Sequence, residues 1–135
     1  MSYVFFVPGI PAPGGSKRHI GRGRIIEDCK RTPAWRQAVA FAAMEARCQP
    51  LEGPLTLTVY FAMPRPRGHF NKAGKLKPSA PMYPTVRPDC TKLLRSTEDA
   101  LLGICWNDDA QIVTQTVRKI YATGPAGAQI EVRKA

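Results

Sequence analysis

Residues 87–109 read RPDCTKLLRSTEDALLGICWNDD, and the arrangement of the whole chain hangs on this stretch. Asp89 stands where a strand or loop feeds a helix, and aspartate there is a good N-cap. The pattern predicts a helix over about 91–102. Leu93, Leu94, Thr97, Ala100, Leu101 and Ile104 fall on one side, and Lys92, Arg95 and Asp99 on the other. Gly103 is placed to end the helix. Asp108 and Asp109 follow, in the turn before a strand.

Upstream, residues 3–7 are aromatic and β-branched, are bounded by Pro8-Gly9, and read as a strand. A Gly/Pro-rich basic loop follows, then a short strand at Ile25 and Ile26. Thr32-Pro33 signals a helix start, with Thr as N-cap and Pro at the first helical position. That helix should reach about residue 47 and stop before Pro50. Trp35, Ala38, Val39, Ala42, Ala43 and Ala46 form its core stripe. After Pro54, Leu55, Leu57, Val59 and Phe61 alternate with polar residues, the period of a strand with one buried face.

Residues 63–88 are rich in Pro, Gly, Lys and Arg, and are long for a connection. Disorder is expected there and in the first basic loop in the free protein. Downstream, 111–121 and 129–133 read as two strands joined by a Thr-Gly-Pro-Ala-Gly turn. Interleaved strands and helices imply an α/β (α+β) fold with two main helices on a mixed sheet. There is no internal repeat and no dividing boundary. We therefore expect one domain over 1–135, with basic loops at about 9–31 and 63–88.

The chain carries 20 Lys and Arg against 10 Asp and Glu, a net charge of +10. Such an excess attracts polyanions. The charge is clustered: Lys17, Arg18, Arg22, Arg24, Lys30 and Arg31 crowd the first loop, and Arg65, Arg67, Lys72, Lys75, Lys77 and Arg87 the second. Glycines 14, 15, 21 and 23 would let backbone amides approach phosphate, and His69 and Phe70 could stack on bases. Solvated loops are the plainer reading, and the charge does not say which polyanion is bound.

Cys29, Cys48, Cys90 and Cys105 form no CxxC pair, and His19 and His69 are isolated. A structural zinc site is not expected, and reduced thiols in the cytoplasm are. The N-terminus has neither a basic leader nor a long apolar segment, so neither secretion nor membrane insertion is expected.

Phosphodiester hydrolysis needs an activated water and neutralisation of charge growing on phosphorus. Two or three carboxylates holding Mg²⁺ or Mn²⁺ meet both needs. Asp89 and the Asp108-Asp109 pair both lie at element ends, so they are expected to converge at one edge of the sheet. Each has a plainer explanation as helix cap or turn residue, and Arg95 with Asp99 reads equally as a surface ion pair. Composition and spacing leave both readings open.

The wording of the motif goes further. Pro88, Asp89, Lys92, Leu93, Arg95, Asp99, Ala100 and Leu101, then Asp108, Asp109, Ala110, Gln111, Ile112 and Val113, resemble the central motif of the RusA family of Holliday-junction resolvases. The opening VPGIPAPGGSKR and the later Arg118-Lys119-Ile120-Tyr121 are similar to the same family, so the likeness spans nearly the whole chain.

The resemblance implies a phage- or prophage-type homodimer that uses Mg²⁺ or Mn²⁺ to place paired nicks in four-way DNA junctions, in recombination and repair. It makes Asp89 and Asp109 catalytic acids and metal ligands, with Asp108 a ligand or neighbour and Arg95 the catalytic cation. Thr91, Lys92 and Asp99 are auxiliary, and no small-molecule cofactor is implied. The sequence departs from the family at Thr91, where the motif has its second acid. That change keeps open a non-catalytic protein of the same fold that binds branched DNA. An RNA- or ribosome-binding protein accounts for the charge but gives no reason for the acids.

Overall fold

The computed structural model describes residues 1–135 apart from 16, 20–24 and 28–29, with side chains described outside 16–29. In chain order the elements are β1 (Ser2–Pro8), β2 (Lys17–His19), β3 (Ile25–Glu27), α1 (Thr32–Glu45), β4 (Leu55–Met63), α2 (Cys90–Leu101), β5 (Ile112–Tyr121) and β6 (Gly127–Lys134). Four strands form one mixed sheet in the order β1-β6-β4-β5. The β4–β5 pair is parallel, and the β1–β6 and β6–β4 pairs are antiparallel. β2 and β3 make a separate antiparallel hairpin. Its second strand holds the expected Ile25 and Ile26; its first was not expected.

The period-two runs put their apolar residues on one face. Phe5 and Val7, Leu55 to Met63 at alternate positions, and Ala128, Ile130 and Val132 are buried beneath the helices. From α1, Trp35, Val39 and Ala43 are buried, and α2 adds Leu93, Leu94 and Leu101. Burying each large side chain contributes about 1.5–3 kcal/mol, so this layer carries most of the stability. Trp35 packs on Phe61 with ring centroids 6.4 Å apart, and its Nε1 donates to Thr97 Oγ1 at 3.1 Å, which joins α1 to α2. The opposite face of the sheet shows Val4, Thr58, Tyr60, Gln129 and Glu131 around an open hollow.

Two expectations are corrected. Arg31, not Thr32, is the N-cap of α1, and Thr32 is already helical. Its Oγ1 donates instead to the Pro13 carbonyl at 2.6 Å, because the first loop folds back over the helix start. β5 and β6 are consecutive but not neighbours. The chain between them steps over the end of β4, where Ala122 N donates to Met63 O at 2.8 Å.

The second correction concerns residues 63–88, which carry fixed structure. A 3₁₀ turn spans Arg67–His69 and an isolated bridge joins Phe70 to Leu76. Asn71 Oδ1 accepts from Ala73 N at 2.9 Å and Lys75 N at 3.0 Å. Arg65 lies 4.3 Å over the Tyr121 ring and donates to Pro81 O at 2.7 Å. A guanidinium desolvated on an aromatic face holds the loop to the sheet, which composition alone does not reveal.

Candidate functional site

Asp89 has extended backbone and its Oδ2 accepts from Lys92 N at 3.0 Å, so the carboxylate caps α2 as its spacing predicts. One oxygen of Asp89 is used in this way. The segment leading into it is held from β5, where Lys119 Nζ donates to Val86 O at 2.8 Å and to Pro88 O at 2.9 Å. Lys119 had no assigned role in the sequence reading. Its partners lie 31 and 33 positions away, and only the packing of α2 along β5 brings them together.

At the other end of α2, the WNDDAQ segment is a riveted turn. The buried Trp106 donates its Nε1 to Asp109 Oδ1 at 2.8 Å. Asp108 Oδ1 accepts from Ala110 N at 2.9 Å, and Gln111 Oε1 accepts from Asn107 N and Asp108 N, each at 3.1 Å. Gln111 Nε2 in turn donates to Leu51 O and Gly53 O at 2.8 and 3.0 Å. Asp108 therefore serves as a cap, and Asp109 stands exposed with one oxygen fixed by the indole.

Glu98 joins this end. Gln115 Nε2 donates to its Oε2 at 2.8 Å. Partial burial pushes its carboxyl above the usual carboxylate range, and the nearby Asp109 and Asp99 push it further, against the lowering effect of Gln115. Glu98, Asp99 and Asp109 thus share one neighbourhood, which sequence spacing along the helix did not bring out.

Asp89 and Asp109 do not converge within one chain. Glu98 lies nine positions beyond Asp89, so the Asp109 neighbourhood sits roughly 13 Å further along α2 at 1.5 Å per residue. The expected meeting at one sheet edge fails because α2 runs antiparallel to β5 and holds the two acids toward its opposite ends. Among the described residues, no three His, Cys, Asp or Glu side chains gather as a metal site. Thr91, exposed in the first turn of α2, adds no charge there. The described acids of a single chain do not form the ligand set of an octahedral Mg²⁺.

The first loop is stitched onto α2. Gly14 N donates to Lys92 O at 2.8 Å, and Ser96 Oγ to Ala12 O at 2.5 Å. A Cβ at Gly14 would stand 3.0–3.1 Å from Ser96, and Gly15, at φ +81°, lies under the Arg95 side chain. These two glycines serve close approach to the helix, where phosphate contact was expected. Gly21 and Gly23 lie outside the described residues.

Of the expected DNA contacts, Arg67, Lys72, Lys75, Lys77 and Arg87 are exposed and Arg65 is half-buried. Arg22 and Arg24 lie outside the described residues, as do the side chains of Lys17 and Arg18. His69, expected to stack on bases, packs edge-on against Tyr121 at 5.3 Å. Cys48, Cys90 and Cys105 are free, and burial raises the thiol pKa of Cys48 and Cys105. Cys29 lies outside the described residues. Among the described residues, no helix is long and apolar enough to cross a membrane.

Comparison with known proteins gives two findings. The family model described as "Endodeoxyribonuclease RusA" matches residues 8–133. The chain is also 29% identical over 126 residues to "Uncharacterized protein YqaN" of Bacillus subtilis (strain 168), covering 90% of this chain and 89% of the relative.

Proposed function

Because the chain belongs to the RusA endodeoxyribonuclease family, we propose that it is a structure-selective endodeoxyribonuclease that resolves four-way DNA junctions by paired nicks. The observation that carries this reading is the family match over residues 8–133, which includes both acid segments and both basic loops. Mg²⁺ or Mn²⁺ would neutralise charge at the scissile phosphate, with Asp89 and Asp109 as ligands and Asp108 beside them. Arg95 and Lys92, on the first turns of the same helix, supply positive charge for the phosphate oxygens.

The separation of Asp89 from Asp109 favours a homodimer. Acids at opposite ends of one helix come together when two copies lie antiparallel about a two-fold axis: Asp89 of one chain then meets Asp109 of the other, twice. The exposed Thr91, Asp99 and Leu102 lie along one side of α2 and its C-terminal cap, a face on which two copies could lie antiparallel. Two such sites on a two-fold protein suit a two-fold junction and give two cuts.

A second reading has a specific basis in Thr91 and in the dispersed acids of the single chain: the protein binds branched DNA without cutting it. Incubation of a synthetic four-way junction with Mg²⁺ or Mn²⁺ separates the two. Paired nicks, abolished in Asp89→Asn, support the nuclease. Tight, junction-selective binding with no nick under either metal supports the binder.

A further inference from the structure

A cleft of about 180 Å³ opens beside Asp89, where the two basic loops meet. Its walls are apolar and stiff. Pro11 comes from the first loop, Pro64 and Pro84 from the second, and Pro88 immediately precedes Asp89. Tyr121 closes the floor and is itself pinned by the Arg65 guanidinium. Ile10 and Val86 edge the mouth and are 43% and 63% exposed. Two cations, Arg31 and Arg87, stand exposed at the rim.

This combination selects its occupant. Proline has no backbone N–H, so the walls present C–H surface and few donors, which suits a flat apolar face. Rigid walls also lose little conformational freedom when the cleft is filled. Guanidinium groups at the rim ask for anions flanking that apolar body, and a nucleotide has such a shape: a planar base between two phosphates. A base inside an intact duplex cannot enter. A base at the branch point of a junction has lost a stacking neighbour and costs less to extrude.

We propose that this cleft takes up a nucleobase unstacked at the branch point, with Arg31 and Arg87 on its flanking phosphates, and so sets the strand beside Asp89. The inference rests on the junction-binding reading above and gives it a means of telling branched from linear DNA.

The test uses 2-aminopurine, which brightens when it loses its stacking partners, placed either at the branch point or within an arm of a synthetic four-way junction. Binding is followed without divalent ions, so that the strands stay intact. The expected result is a severalfold rise in fluorescence at the branch position and none in the arm. Val86→Phe fills the cleft from an exposed position, and circular dichroism checks its fold. It should abolish the rise and weaken junction binding about tenfold, while duplex binding is unchanged. Ile10→Phe, from the other lip, should do the same. Tight junction binding with no branch-point signal, or with both variants behaving as the parent, overturns the cleft's role and leaves the junction reading intact. Binding no tighter to junction than to duplex removes both.

Discussion

Lys119 Nζ and the carbonyl of Pro88 lie 2.9 Å apart, tying the C-terminal end of β5 to the residue that precedes Asp89. With the second bond to Val86 O at 2.8 Å, this ammonium holds the whole entry into α2. The segment that carries the capping carboxylate is fixed to the sheet through that side chain.

Removing the tie should therefore cost both stability and activity. Hydrogen bonds from a charged donor contribute about 1.5–3 kcal/mol each when desolvated and less when partly exposed, so Lys119→Met should lose on the order of 1–2 kcal/mol in urea unfolding. Junction nicking should fall further than this fraction unfolded explains, in kcat rather than KM. Lys119→Arg, which keeps the charge and donors, should restore part of it.

Gly14 and Gly15 should answer differently to the same substitution. At Gly14 an added Cβ meets the Ser96 backbone at 3.0 Å, and Ser96 is fully buried. Gly14→Ala should destabilise by about 1–3 kcal/mol as overpacking. At Gly15 the added atom meets the flexible end of Arg95 at a backbone φ of +81°. Gly15→Ala should cost about 1 kcal/mol and move the guanidinium, lowering nicking more than junction affinity in a gel-shift assay.

Glu98 gives a pH signature. Burial, with Asp109 and Asp99, raises its folded-state pKa above the ordinary 4.5. The native state then binds more protons than the unfolded chain across that window, so stability falls as pH rises through it. Glu98→Gln keeps an acceptor for Gln115 and removes the titration. Urea midpoints of parent and variant should converge near pH 4 and separate toward pH 7, with the variant the more stable.

Thr91→Asp restores the charge that the motif lacks, two residues after Asp89. Nicking should then saturate at 10–100-fold lower Mn²⁺, the usual scale for repairing a ligand shell. Titrating Mn²⁺ in the junction assay reads this shift directly.

Much of the fold was legible because local signals agreed. Alternation over 55–63, the stripe from Trp35 to Ala46 and the Asp89 cap each put the correct residues inside. What stayed hidden depends on pairings between distant segments. Thr32 bonds Pro13, Lys119 bonds Pro88 and Gln115 bonds Glu98, and none of these follows from periodicity. The separation of the two acids stayed hidden for the same reason. Asp89 and Asp109 were correctly placed at element ends, but the antiparallel run of α2 along β5, which sets those ends apart, is a property of packing.

The central claim is that each cutting site takes its two acids from two chains. Asp89→Asn and Asp109→Asn, each inactive alone, should be mixed, allowed to exchange subunits, and given a four-way junction with Mg²⁺ or Mn²⁺. A shared site predicts that the mixed dimer regains one intact site of two, so single nicks appear where the parent makes paired ones. A mixture as inactive as its components, beside a parent that cuts, would contradict the shared site and require both acids to meet within one chain.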